Sequence, residues 1–417
     1  MSGARVFFLT LAGCWLAFFA LFPGLFFKAG INRVKHEVAP GRVAAVWFLD
    51  SFAILASSDV VAAGHDPYAP NPLDYLQRSH IYGPWWLRLH ELGLTRADNF
   101  RVGLALVAAF VVATLSWLRP RDLRSALWYL AVFGSIPVLL AVERANNDLA
   151  IFLVLAPVVP CLLSRHASMR WLALGLVAVA ADLKFYPAAA VLVLLAIAPV
   201  RELRWRVAAG VTLLVLVGWH VGGDLVRIVP LLPTAEGVFT FGAVEGWHEL
   251  GWHGPWPQLL AAVFGVAIFA VCWTRRALGA WAPAPAQRSE WLYFILGATL
   301  LTACFFTGQN HDYRWVFALW LAPLLWSLPA DVSAPTAVRR LAFATRWLLL
   351  TALWFDPLCT LTLSQFPGLN LAGALHWVFL IEQPLTWALF VCLLAFLAHF
   401  ARGGLQALRR QEPEPVP

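Results

Sequence analysis

Apolar runs close to twenty residues long recur from one end of this chain of 417 residues to the other, and few folds accommodate them. A helix crossing the hydrocarbon of a bilayer needs about 20 such residues. Inside lipid, only a helix or a closed barrel satisfies its own backbone hydrogen bonds. Charged residues make up 13% of the sequence, against roughly 25% in soluble domains. The expectation is an all-α, polytopic integral membrane protein. The twelve runs lie at 6–27, 100–118, 125–142, 149–163, 171–183, 186–200, 207–221, 258–274, 290–307, 315–328, 343–362 and 374–400. The first is too long for the core of a secretion signal and lacks a small-residue cleavage site after it, so it reads as a retained span. Residues 1–410 read as one membrane-embedded domain, and the Pro-rich tail 411–417 as disordered.

Charge assigns the sides. Taken in order after the second run, one alternate set of loops holds seventeen Arg, and the other holds only Arg144, Lys184, Arg227 and Arg314. Cytoplasmic loops concentrate Lys and Arg, which places the Arg-rich set and both termini in the cytoplasm and residues 28–99 outside. The stretch Val43 to Ala63 is apolar enough to challenge that count. As a span it would invert every later loop and carry Asp50 into the membrane, at a cost of about 3 kcal/mol if charged at the centre. It therefore reads as an outer helix lying at the interface. Asp50 and Asp59 are nine positions apart, which at about 100° per residue sets them on opposite faces and excludes an acid/base pair.

The outward ends of several runs then carry polar islands that a plain anchor does not need. They are Asp50 with His65-Asp66-Pro67-Tyr68; Glu143-Arg144 with Asn146-Asn147-Asp148; Asp182-Leu183-Lys184-Phe185-Tyr186-Pro187; and Gln309-Asn310-His311-Asp312-Tyr313-Arg314. Cations beside Asn, His and Tyr on an otherwise cation-poor side suit an anion such as a phosphate at the membrane surface. The plainer alternative is that each Lys or Arg snorkels from a span end. That alternative fits Lys184 least, because it lies in a short turn inside an apolar run, where a buried Asp182 or Asp148 partner would hold it. The middles of the runs are nearly uncharged, which argues against an ion-coupled transport pathway. The outer loop 222–257 repeats Trp around Trp252, which suits either interfacial anchoring or stacking of a carbohydrate. Its W-H-E-L-G-W-H order lacks metalloprotease spacing. The six Cys form no CxxC, and neither a metal nor a cofactor is expected. With no basic tract, nucleic acid is not expected as a partner.

These islands resemble, in order along most of the chain, the short motifs of glycosyltransferase family 87. Asp50, then Gly64-His65-Asp66-Pro67-Tyr68 and Tyr82-Gly83-Pro84, is similar to that family's first outer loop. Glu143-Arg144-Ala145-Asn146-Asn147-Asp148-Leu149 is similar to its Gly-Asn-apolar turn, Leu183-Lys184-Phe185-Tyr186-Pro187 to its K-x-Y-P element, and Asp312-Tyr313-Arg314 to its late Y-R element. Gly83 stands where the family usually has Pro, and Ala145 where it often has Gly. The resemblance implies a C-type membrane glycosyltransferase that inverts at the anomeric carbon. Its donor would be a polyprenyl-phosphate sugar, with mannose foremost. The acceptor would be a glycolipid or glycan on the outer face of the plasma membrane. Such chemistry needs one carboxylate base and fixed positive charge for the phosphate leaving group. Asp50 is the candidate base, with Asp59 its competitor. Arg144, Lys184, His311 and Arg314 are candidates for the phosphate, and Asp66, Tyr68, Tyr82, Asn147, Tyr186 and Trp252 for shaping the loop or substrate site. The rival classes are a lipid or glycan flippase or transporter, another C-type transferase or polymerase, and a membrane scaffold.

Overall fold

The structure, a computed structural model, describes residues 3–21, 36–39, 42–44, 47–196, 200–232, 240–279, 281–308, 310–363, 366 and 370–409. The tail 411–417, Gln309, the end of the first run and parts of the two outer loops lie outside them. The chain is an all-α multi-pass membrane protein. Its only strands among the described residues form two short antiparallel pairs, His36–Ala39 with Arg42–Ala44 and Thr240–Phe241 with Asn310–His311.

Five described helices are long and apolar enough to span: Arg96–Trp117, Glu202–Leu231, Pro255–Arg275, Pro285–Thr307 and Gly373–Gln406. A sixth is a pair, Leu123–Phe133 and Ile136–Arg144, bent by 53° at Gly134 and Ser135. Five of the twelve runs read from the sequence thus lie in continuous helices that meet this measure, and run 343–362 lies in a further continuous helix, Thr336–Leu363. Several others are shorter or broken. Run 149–163 divides into Asn147–Leu155 and Val158–Leu163, with Pro157 between. Run 186–200 begins as the 3-10 helix Tyr186–Ala196, and run 315–328 opens inside another, Asp312–Trp320. Proline removes a backbone donor and clashes with the preceding turn, so Pro157, Pro187 and Pro323 fall at or beside these changes. Irregular backbone at membrane depth survives where protein covers it, and Asp312–Trp320 is buried at eight of its nine residues.

Burial separates core from rim. In its most apolar stretch Pro285–Thr307 is 78% buried, whereas Glu202–Leu231 is 11% and Pro255–Arg275 17% buried. The first is a central pillar. Phe294, Phe305 and Trp291 pack there against Phe390 and Phe396 of Leu371–Arg409. The other two turn Trp219, Val215 and Val266 outward, an apolar surface of the kind that lipid covers.

The first outer helix is packed more deeply than its sequence indicates. It runs Leu49–Ala62, is not among the spanning helices, and has ten of its fourteen residues buried in protein. Its serines are all bonded, Ser51 to Asn99, Ser57 to the Ala53 carbonyl and Ser58 to the Leu87 carbonyl. That is how a helix with three buried hydroxyls avoids the cost of unpaired polar groups.

Candidate active site

One or more residues from each of the four polar islands come together in one buried centre. Asp50 begins its helix with both oxygens occupied. Arg144 donates from Nε to Oδ2 at 2.8 Å and from Nη2 to Oδ1 at 2.6 Å. Asn146 Nδ2 donates to Oδ2 at 2.6 Å and Arg78 Nη1 to Oδ1 at 3.3 Å. Burial alone would raise the Asp50 carboxyl. Arg144, Arg78 and Asn146 override it and hold the group well below the usual carboxylate range. Asp59 lies elsewhere, accepting from the Arg96 backbone at 3.2 Å.

Asn146 joins this carboxylate to the next element. While its Nδ2 reaches Asp50, its Oδ1 accepts from the Asp148 amide at 2.8 Å and caps the helix Asn147–Leu155. The cap aims Asn147 and Asp148 at Lys184. Lys184 Nζ donates to Asn147 Oδ1 at 2.7 Å and to Asp148 Oδ1 at 2.6 Å. Asp148, not Asp182, is therefore the partner of Lys184; Asp182 takes His220 at 2.9 Å. Tyr186 also donates to Asp148 Oδ1, at 2.6 Å. The rings of Tyr82, Tyr186 and Tyr313 stand 5.3, 5.7 and 5.6 Å from Lys184 Nζ, an aromatic enclosure for the ammonium. Arg314 lies over Tyr186 at 5.0 Å, its Nε 3.9 Å from Asp148 Oδ2. Neither of those two atoms has a hydrogen-bond partner, so the gap suits one bridging hydroxyl that accepts from Arg314 and donates to Asp148.

His311 is fixed between these groups by the strand pair, Thr240 opposite it and Phe241 opposite Asn310. Burial pushes its imidazole down to about 4, and Arg144, Arg314 and Lys184 all press the same way. His311 is thus a neutral ring at neutral pH, a hydrogen-bonding group rather than a fourth cation.

The turn Lys184–Pro187 is held by the first outer loop. Gly83 N donates to the Leu183 carbonyl at 3.0 Å, and Trp86 Nε1 reaches the same oxygen at 3.0 Å. A Cβ on Gly83 would lie 1.7 Å from the Asp182 carbonyl oxygen. Glycine here is a condition of that close approach, and a proline, which lacks the donor, would lose the bond as well. Backbone strain gathers at the same centre. Among the described residues four non-glycines have positive φ, and three adjoin it: Phe48, Gln77 and Ala145, the last at +41° between Arg144 and Asn146.

Other candidates lie apart. Asp66 is a turn residue, accepting from Tyr68 N at 3.1 Å and pairing with Arg227. Tyr68 donates to Asp224 at 2.5 Å under the Arg227 guanidinium. A ladder of rings connects it to the centre, with Tyr68 6.1 Å from His80 and His80 5.8 Å from Tyr82. Trp252 packs on Trp247 and is 63% exposed. Arg78 is the residue the sequence reading missed. The cation balance that assigns sides covers the loops after the second run, and Arg78 lies before it, in the first outer loop.

A second group of buried acids also departs from the sequence expectation of nearly uncharged runs. Asp312, Asp356, Glu382 and Glu245 are each less than a tenth exposed.

No family model matches the chain, and no curated protein matches its sequence, so the likeness to glycosyltransferase family 87 stands on the short motifs alone. Among solved structures, the apo-state crystal structure of ArnT from Cupriavidus metallidurans is similar at a TM-score of 0.33 and 14% identity, over 94% of this chain and 78% of that one.

Proposed function

We propose that this chain is an inverting membrane glycosyltransferase of the C type. In this reading it moves a hexose, mannose foremost, from a polyprenyl-phosphate donor to a glycolipid or glycan acceptor. The centre would face outward from the plasma membrane, with both termini cytoplasmic. The observation that carries the reading is the chain of contacts that runs from Arg144 and Asp50 through Asn146 to Asp148, where Lys184 donates at 2.6 Å and Arg314 Nε lies at 3.9 Å. Three cations and a carboxylate from distant segments, enclosed by tyrosines, suit a sugar phosphate better than any single neutral ligand.

The acceptor hydroxyl attacks the anomeric carbon while the carboxylate takes its proton. The bond from that carbon to the phosphate oxygen breaks, and the electron pair leaves on the phosphate. Lys184 and Arg314 stabilise that developing charge. Asp50 cannot act while Arg144 and Arg78 fill its lone pairs. The donor phosphate competes for the same guanidiniums. Its arrival draws them from Asp50, frees an oxygen and returns the carboxyl toward its ordinary basicity. The base is thereby activated only when the leaving group is in place.

The test is transfer of radiolabelled sugar from polyprenyl phosphate by the purified protein in vesicles. Transfer by the parent chain, abolished in Asp50→Asn, supports the reading, and absence of transfer to any glycolipid acceptor overturns it. The buried acids Asp312, Asp356 and Glu382 favour a second reading, a cation-coupled transporter. Uptake of a lipid-linked sugar driven by a proton gradient, with no bond transferred, would select it.

A further inference from the structure

The helix Ala167–Leu183 carries Lys184 at one end and Arg170 at the other, about 21 Å apart along its axis. Arg170 meets Glu202 and Arg206 at the start of Val200–Ile228, and the three form a compact charged group. Arg170 Nη2 donates to Glu202 Oε2 at 2.9 Å, and Arg206 Nε and Nη2 reach that same oxygen at 3.4 and 3.3 Å. Arg170 Nη1 bonds the Ser164 and Arg165 carbonyls. Both arginine side chains are more than nine-tenths buried, while Glu202 is 30% exposed.

This balance is incomplete. Two buried guanidiniums share one carboxylate oxygen, which leaves a net positive charge. Arg170 Nε and Arg206 Nη1 are buried with no hydrogen-bond partner. A buried charge without a counter-ion is costly, and an unpaired buried donor adds to the cost. The group belongs to the end of the chain's topology where the sequence concentrates its Arg. Its aromatic surroundings mark a membrane interface: Trp171, against which Arg206 stacks at 4.1 Å, is 47% exposed, and Trp205 is 77% exposed. Exposed Trp beside Arg sits at headgroup level, where basic pockets between helices take anionic headgroups.

We infer that Arg170 and Arg206 form a binding site for the phosphate of an anionic phospholipid on the Arg-rich face, with Glu202 as the gate that the headgroup displaces. The lipid phosphate supplies the missing negative charge and accepts from the two unpaired donors. This site is independent of the chemistry at Asp50.

The experiment measures thermal unfolding and lipid binding of the purified full chain in detergent. The additions are phosphatidylglycerol, phosphatidylcholine or inorganic phosphate. Phosphatidylglycerol is expected to raise the unfolding midpoint, and the other two to leave it unchanged. Arg206→Ala is expected to weaken phosphatidylglycerol binding about tenfold, ~1.4 kcal/mol. Glu202→Gln keeps both guanidiniums and removes the competing carboxylate, so it is expected to tighten binding. Equal binding of the two lipids overturns the inference, as does inorganic phosphate acting as well as phosphatidylglycerol. Should Arg206→Ala fail to fold, Glu202→Gln decides: binding no tighter than in the parent chain refutes the site.

Discussion

Arg144 holds Asp50 by two parallel hydrogen bonds of 2.8 and 2.6 Å, the fork geometry of a guanidinium on a carboxylate, across 94 residues of sequence. The pair ties the first outer helix to the bent pair and keeps both carboxylate oxygens occupied.

Asp50→Asn leaves Arg144 and Arg78 buried against an amide. A loss of about 3–5 kcal/mol in stability is expected, as for other broken buried pairs. Loss of a general base also predicts transfer reduced by about 10²–10⁴-fold. The double variant Asp50→Asn with Arg144→Gln separates the effects. Its unfolding midpoint should recover in part while transfer stays absent. Recovery of transfer would assign Asp50 a structural role only.

Lys184→Met removes the charge that Asp148 Oδ1 faces and retains the length of the side chain. Expected are a drop in stability of about 3 kcal/mol or more and a rise of about tenfold or more in the KM for the lipid donor. The KM for the acceptor should stay unchanged. Initial rates against donor concentration test this, and an unaltered donor KM would remove Lys184 from the phosphate site.

Acid should weaken the fold in two windows. His80 and His311 are held near 4, both chiefly by burial, against an ordinary 6.5. Because the folded chain binds fewer protons than the unfolded one between those values, stability is full above 6.5 and falls as pH drops toward 4. Each ring accounts for about 3 kcal/mol over that interval. Asp50 acts lower. Its folded value is depressed, so its contribution is present above the unfolded value near 4 and is lost as pH falls further. Unfolding midpoints measured from pH 7 to 2 should therefore fall through both windows, and His80→Gln should lessen the fall in the upper window only.

Two backbone substitutions should move in opposite directions. Ala145→Gly relieves a left-handed conformation at φ +41°, a strain of about 1 kcal/mol. Greater freedom in the unfolded chain offsets part of this gain. Gly83→Ala drives a methyl into the Asp182 carbonyl and should cost about 3 kcal/mol, the upper end for overpacking. Thermal unfolding of both variants is the measurement, and a tolerated Gly83→Ala would mean that the loop does not dock so closely in solution.

How much of this was legible in the sequence depends on the range of the signal. Apolar runs revealed the helical membrane class because span length is a local property. Their continuity was not legible: whether run 315–328 is one helix depends on Asp312–Trp320 being packed against Pro285–Thr307 and the bent pair, which lets a 3-10 segment persist where lipid would forbid it. The islands around Arg144, Lys184 and Arg314 stood out because cations are rare on that side. Arg78 did not, because its neighbours in sequence are polar and nothing local distinguishes it. The Asp148 partner of Lys184 had to be chosen from two acids, and only the cap at Asn146 decides which one faces the ammonium. Burial of Leu49–Ala62 was hidden for a similar reason, since its serines read as surface residues until Asn99 and Leu87 arrive to bond them.

The capping side chain of Asn146 also sets an order of assembly. A chain threaded into the membrane from its first span delivers Asp50 before Arg144 and Asn146 exist on the same side. A carboxylate that lacks those partners has Arg78 alone against the cost of burial, so full burial of Asp50 awaits insertion of the bent pair and the start of Asn147–Leu155. His311 and Arg314 follow much later still. The first outer loop is thus made early and settled late, and a chain truncated before Arg144 keeps only Arg78 to hold Asp50.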